Sequence, residues 1–173
     1  PVLSIRKEGN TPAWGAVYEQ YFQEIDKVKG QKGVLSVEKK LFVETNNGTN
    51  CQIRPVTPEQ PLRIGDKVIV RLTIRTDREM NYVFLKDLRA GCFEPADQLS
   101  GPESRDGIWY YRSPKDVSEN FFINRLPEGT FVLEYPVYVS RSGEYAGGIS
   151  TIQCMYAPEF VSHTAGESLR IMP

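Results

Sequence analysis

The chain has 173 residues, 40% of them hydrophobic and 25% charged, the balance of a folded globular chain rather than a disordered one. Its 21 basic and 22 acidic side chains leave a net charge of −1 with no run of five like charges, so neither nucleic acid nor anionic lipid is an expected partner. No apolar run approaches the roughly 18 residues of a membrane span, so direct membrane insertion is not expected either.

The first residue is Pro1 and no signal-peptide pattern follows it, which reads as a piece of a larger protein whose targeting signal lies upstream. Residues 2–7 (VLSIRK) have strand composition and residues 8–12 loop composition. Over Ala13–Ile25, Val17, Tyr21 and Ile25 fit a helical face, but Trp14, Val17, Tyr18, Tyr21 and Phe22 are types that favour a pleated surface. A second strand is the expectation there. The Gly- and Lys-rich stretch 26–33 has linker composition and places a domain boundary after residue 29, giving an N-terminal piece (1–29) and a main domain (30–173).

Leu35, Val37, Lys39, Leu41 and Val43 alternate as a strand closed by the turn-rich residues 45–49. Pro55, Pro58 and Pro61 keep the following chain out of any central ladder. The clearest pattern is Val68, Val70, Leu72 and Ile74 against Lys67, Arg71, Thr73 and Arg75, broken only by Ile69 and followed at once by a strand from Tyr82 to Leu88. These two are expected to form a hairpin, one strand outer and one more central. Residues 100–107 read as loop, Ile108–Tyr111 and Phe121–Ile123 as short strands, and Leu126–Gly129 as a turn. Phe131, Leu133, Tyr135, Val137 and Val139 then alternate, with Pro136 marking an edge position or a bulge. Ile149–Tyr156 returns as a strand, and Val161–His163 or Leu169–Ile171 closes the sheet. Short strands, turns at close intervals and almost no helical periodicity predict an all-β, antiparallel Greek-key β-sandwich.

The residue types for catalysis are sparse. A lone His163, expected at the surface, and three scattered cysteines supply neither a nucleophile with its base nor a zinc ligand set. There is no phosphate-binding glycine loop and no CxxC, so no cofactor or metal is expected. Asp77/Glu79, Asp87/Glu94 and Asp116/Glu119 are possible acid/base pairs, but each falls in a turn or at a strand end where carboxylates serve solubility. Trp109, Tyr110 and Tyr111, with Phe121 and Phe122, are a candidate interaction platform, with core packing as the alternative. If any two cysteines are bridged, Cys92 and Cys154 are the pair expected, against buried free thiols.

Two stretches carry a resemblance: IGDKVIVRLTIRTDREMNYVFLKDLRAGCFEP (residues 64–95) and FFINRLPEGTFVLEYPVYVSRSGEYAGGISTIQCMYAPEF (residues 121–160). From Leu35 onward the chain resembles the terminal macroglobulin-like domain of bacterial alpha-2-macroglobulins, in the form found in Bacteroidetes-type bacteria. The features concerned are Pro127 and Gly129 in a turn, Tyr135 in a long strand, Gly143 in a hairpin, and the Met155-Tyr156-Ala157-Pro158-Glu159 corner. Residues 1–29 resemble the stretch that links the thioester-containing domain back to this one, the end of a neighbouring β-rich domain contributing a short hairpin. The resemblance implies a non-catalytic domain of a protease-trapping protein of the periplasm or outer envelope, the parent a lipoprotein or secreted. Its partners would be the thioester and macroglobulin-like domains of the parent chain and, through the parent, proteases. The thioester itself needs Cys-x-Glu-Gln, and Cys51, Cys92 and Cys154 are each followed by other residues. The alternative is a free-standing surface adhesin or carbohydrate-binding sandwich.

Overall fold

A computed structural model describes residues 4–46, 51–57 and 59–173. Its described residues form fourteen strands: β1 (Leu35–Asn46), β2 (Cys51–Pro55), β3 (Leu62–Arg63), β4 (Lys67–Thr76), β5 (Met80–Leu88), β6 (Phe93–Pro95) and β7 (Gly101–Arg105), then β8 (Ile108–Pro114), β9 (Ser118–Leu126), β10 (Gly129–Val139), β11 (Gly143–Ala146), β12 (Ser150–Cys154), β13 (Ala157–His163) and β14 (Ser168–Met172). They make a five-stranded sheet in the order β2-β1-β4-β10-β6 and a six-stranded sheet in the order β13-β12-β5-β9-β8-β7. A small sheet, β11-β14-β3, lies beside them, and its β14–β3 pair is parallel where the other ladders are antiparallel.

The alternations place the core. In β4, Val68, Val70, Leu72, Ile74 and Thr76 are buried and the residues between them are not. Their partners across the sandwich are Val83, Leu85, Phe121, Ile123 and Ile152 from the six-stranded sheet, with Leu62, Leu169 and Ile171 closing one side. Phe121 and Tyr135 meet between the two sheets at 6.1 Å.

β4 and β5 are not a hairpin. β4 lies between β1 and β10, and β5 between β12 and β9, so both are central, each in a different sheet. The turn at Asp77–Glu79 carries the chain across the sandwich, held by the Thr76 hydroxyl, which donates to the Arg78 carbonyl at 2.8 Å. Each strand needs a fully buried face and two flanking partners, and opposed sheets supply both. Residues 100–107 are also not a loop. β7 and β8 form a hairpin whose turn residues Asp106 and Gly107 have φ of 54° and 83°, the two positive values that an Asp-Gly hairpin turn requires. Pro136 does sit at an edge: β6 pairs with β10 only over Val137–Val139.

Over residues 4–24 no strand or helix forms, and the expected hairpin is absent; residues 2 and 3 lie outside the described residues. Trp14, Tyr18 and Phe22 are exposed there. A strand is stable only beside another, and no described strand lies alongside this stretch. A single 3-10 turn follows at Ile25–Lys27. From there the chain is tied to the sandwich: Gly166 N–H donates to the Val28 carbonyl, and Gln31 pairs with His163. His163 is half-buried in that contact rather than free at the surface.

Candidate docking surface

The two faces of the six-stranded sheet differ in kind. Tyr111 pairs with Phe122, Phe122 with Phe84, and Phe84 with Gln153, so one outward row crosses four strands. Phe84 and Phe122 stack at 4.9 Å. Trp109 stands two residues along β8 on the same face, 72% exposed, and Tyr82 meets Tyr156 edge-on at 5.1 Å. Met155, beside Tyr156 in the β12–β13 turn, is exposed as well, and its N–H donates to the Tyr82 carbonyl at 2.9 Å. Trp109, Tyr111, Phe122, Asn124 and Arg125 line a shallow groove of 520 Å³ on this face. Separate exposed apolar residues are ordinary, whereas a contiguous aromatic set marks a contact surface.

The expected trio therefore divides. Trp109 and Tyr111 belong to the outer face, but the period of two turns Tyr110 inward, where it is buried against Phe121 at 5.7 Å. Its hydroxyl donates to Glu103 at 3.0 Å, and burial together with that carboxylate pushes its pKa up to about 12.

Beneath the aromatic face lies a buried layer of charge. Lys39 reaches across from β1 and donates to Asp87 at 2.8 Å and to the carbonyls of Leu88 and Gly147 at 3.0 and 3.3 Å. Asp87 also accepts from the Ser150 hydroxyl at 2.7 Å and from the Tyr135 hydroxyl. Its cross-strand neighbour Glu119 is paired with Arg112 at 2.8 Å and with Arg89 at 3.3 Å. Arg112 continues outward to Glu103 at 3.4 Å and Asp97 at 3.6 Å. Burial pushes the Glu119 carboxyl up, against the pull of Arg112 and Arg89, and holds the Tyr135 phenol well above its ordinary value. No sequence pattern marks this layer, because the two acids lie far apart in the chain and register alone makes them neighbours. Asp87 and Glu119 are closed off from solvent; Asp87 joins the two sheets through Lys39 and Tyr135, Glu119 holds Arg112 and Arg89 beside its own sheet, and neither offers a surface to a substrate.

The carboxylate pairs suggested by the sequence are not brought together as acid/base sites. Asp77 is bonded to Arg78 at 2.8 Å and Glu79 to Arg125 at 2.7 Å, both in exposed positions. Asp87 is buried while Glu94 stands on β6 of the other sheet, and Glu119 is buried while Asp116 lies in the exposed β8–β9 connection. No metal-binding cluster of His, Cys, Asp and Glu occurs among the described residues.

The bridge between Cys92 and Cys154 is not formed: both are free and buried. They lie in different surroundings. The Cys92 carbonyl accepts from Ser140 N–H and hydroxyl beside β6, and its thiol is pushed up to about 11 by burial. The Cys154 thiol donates to the Asn81 carbonyl at 3.2 Å within the six-stranded sheet.

The family model for the bacterial alpha-2-macroglobulin MG10 domain matches residues 35–159. The chain belongs to this family. Among solved structures, the MG10 domain here is similar to Salmonella alpha-2-macroglobulin reacted with methylamine, with a TM-score of 0.65 and 21% identity over 84% of this chain and 10% of that one. It is similar also to Escherichia coli alpha-2-macroglobulin activated by porcine elastase, with a TM-score of 0.65 and 18% identity over 84% of this chain and 14% of that one. A curated relative, "Circularly permutated Ras protein 2" of Dictyostelium discoideum, is 28% identical over 109 residues, which are 63% of this chain and 3% of that protein. The chain thus spans a small fraction of the length of each of these proteins.

Proposed function

We propose that this chain is a non-catalytic domain of a protease-trapping envelope protein, and that the aromatic outer face of its six-stranded sheet packs against the thioester domain of the same parent and moves with it. The observation that carries this reading is the row Tyr111–Phe122–Phe84, with Trp109, Tyr82 and Tyr156 around it, on a sheet whose opposite face is already core. Family membership and the elastase-activated relative support the trapping role. The Bacteroidetes-type form, the placement at the end of the parent and the residence of that parent in the periplasm or outer envelope follow the resemblance carried by residues 64–95 and 121–160. We place the boundary of the domain near Ile25, where the first bonds to the sandwich begin.

The adhesin reading asks for rings lying flat and open to a sugar. Here Phe84 and Phe122 cover each other and Tyr82 meets Tyr156 edge-on, which suits burial against protein better.

Changing Trp109→Lys and Phe122→Lys together in the full-length parent tests the assignment. Loss of the packing should lower the amount of elastase the parent retains by about tenfold, the scale of one or two buried aromatic anchors. Wild-type trapping by the double variant would rule this face out. The 173-residue chain alone should neither slow elastase nor hydrolyse substrates, and turnover abolished by one carboxylate substitution would overturn the non-catalytic reading.

A further inference from the structure

Apart from the residues of the aromatic row, two strand edges face one groove. β2 covers β1 only up to the bond from Val56 N–H to the Leu41 carbonyl at 2.9 Å. Alternation then points the backbone groups of Val37 and Lys39 to this same side, past the end of β2. β14 is covered by β3 only at Ile171 and Met172, while β11 holds its other edge. The backbone groups of Ser168 and Arg170 point to the β3 side; the parallel register of Ile171 with Leu62 gives the Arg170 carbonyl to Leu62 N–H, and the Ser168 groups and the Arg170 N–H lie beyond the end of that ladder. Between these edges lies a groove of 890 Å³ lined by Lys39–Leu41 and Glu167–Arg170, with Leu41, Leu62, Leu169 and Val56 among its apolar residues.

Its volume suits one strand. A paired strand occupies about 4.8 Å along a sheet, about 10 Å across it and about 3.3 Å per residue, or roughly 160 Å³ each, so the groove holds about five residues. The chain leading from β13 into β14 already has an extended segment beside it in fixed register. Gln31 stands opposite His163, the Val28 carbonyl accepts from Gly166, and Asp26 meets the Ser168 hydroxyl at 3.0 Å, a constant antiparallel offset. The 3-10 turn at Ile25–Lys27 ends that pairing before the position opposite Arg170. Arg170 is exposed at that part of the rim, with Lys40, which lies 3.5 Å from Glu38, and Glu167 also in the lining.

We propose that this groove receives an extended peptide strand from outside the domain, antiparallel to β14, with apolar side chains at alternate positions and a carboxylate that meets Arg170 and Lys40. Backbone pairing to β1 and β14 supplies the affinity, and the apolar floor and Arg170 at the rim supply the selectivity, as in recognition by strand addition. The site is independent of the aromatic face.

The full 173-residue chain, labelled for amide NMR, is titrated with acetyl-Thr-Val-Thr-Val-Glu-Val-Thr-amide. Saturable shifts are expected at Val37, Lys39, Ser168 and Arg170. N-methylation of alternate peptide amides should weaken binding at least about tenfold, because the ladder bonds are then blocked. Arg170→Glu should weaken binding about tenfold, and a peptide carrying lysine in place of glutamate should recover the loss. Equal binding of the methylated peptide, or shifts confined to the aromatic face, would overturn the proposal. Concentration-dependent dimerisation that Arg170→Glu abolishes would also overturn it, by showing that a second copy occupies the groove.

Discussion

The six-stranded sheet inverts the usual arrangement over part of its width: charge lies beneath it and aromatic rings lie on top. In β8, Trp109 and Tyr111 face out while Tyr110 and Arg112 face in; in β5, Phe84 faces out while Asp87 faces in. Beside them β4, in the opposite sheet, follows the ordinary rule, with aliphatic residues inside and Lys67, Arg71, Thr73 and Arg75 on the other face. The difference separates two tasks. β4 is built to stabilise, at roughly 25 cal/mol per Å² of apolar surface removed from water. A buried ion-pair layer gives little net stability over a hydrophobic equivalent, but it is costly to break and so fixes how the sheets meet. An outer face of rings stabilises nothing until another surface covers it. The inner layer suits registry, and the outer row is the surface proposed above for docking.

The largest effect should come from breaking the inner layer. Lys39→Met leaves Asp87 buried without its cation and should destabilise the domain by about 3–5 kcal/mol, read from chemical denaturation. The double change Lys39→Met with Asp87→Asn should recover much of that loss. Recovery of none of it would mean that the two residues do not act as a pair.

The pH response sharpens the same point. Because the folded carboxyl of Glu119 is raised, its contribution to stability is fully present below the unfolded value near 4.5 and is lost as pH rises through the folded value. Wild type should therefore compare best with Glu119→Gln at low pH, with the difference in Tm shrinking as pH rises. A difference that grows with pH would show that Arg112 and Arg89 outweigh burial.

Smaller changes are expected at the N-terminal edge. Removing residues 1–24 should leave a cooperative domain of unchanged stability, since the side chains of residues 4–24 are exposed and no strand forms there. Removing 1–29 also takes away the bonds of Val28 and Asp26 to Gly166 and Ser168, and should cost about 1–2 kcal/mol. Equal stabilities would move the boundary back beyond residue 29. The smallest effect belongs to the outer row: Trp109→Ala should change the stability of the isolated chain by less than about 0.5 kcal/mol, and a larger loss would make Trp109 a core residue.

The strands of the sandwich were legible wherever one face is apolar. The alternation in β4 and β10 reads directly from Val68–Ile74 and Phe131–Val139. Which strands pair is not a property of alternation, so β4 and β5, joined by a short turn, were read as a hairpin although each is completed by partners far along the chain. Asp106-Gly107 is a hairpin signal for β7 and β8, set among residues whose composition is otherwise that of a loop. Residues 13–25 have strand-forming side chains but no neighbour here, and composition does not report a missing neighbour. At the candidate surface, residue type alone groups Trp109, Tyr110 and Tyr111, whereas the period of two exposes Trp109 and Tyr111 and buries Tyr110. The charge layer was illegible because Lys39, Asp87, Arg112 and Glu119 meet only through sheet pairing and packing.

Docking by the aromatic face is tested most directly by side-chain oxidation with hydroxyl radicals, comparing the isolated chain with the full-length parent. The account predicts that Trp109, Tyr111, Tyr82 and Tyr156, open in the isolated chain, are oxidised at least about fivefold more slowly in the parent, as residues at the centre of a protein interface are. Exposed Leu99, away from this row, should react at the same rate in both. Equal oxidation of the four aromatic residues in the two proteins would contradict it.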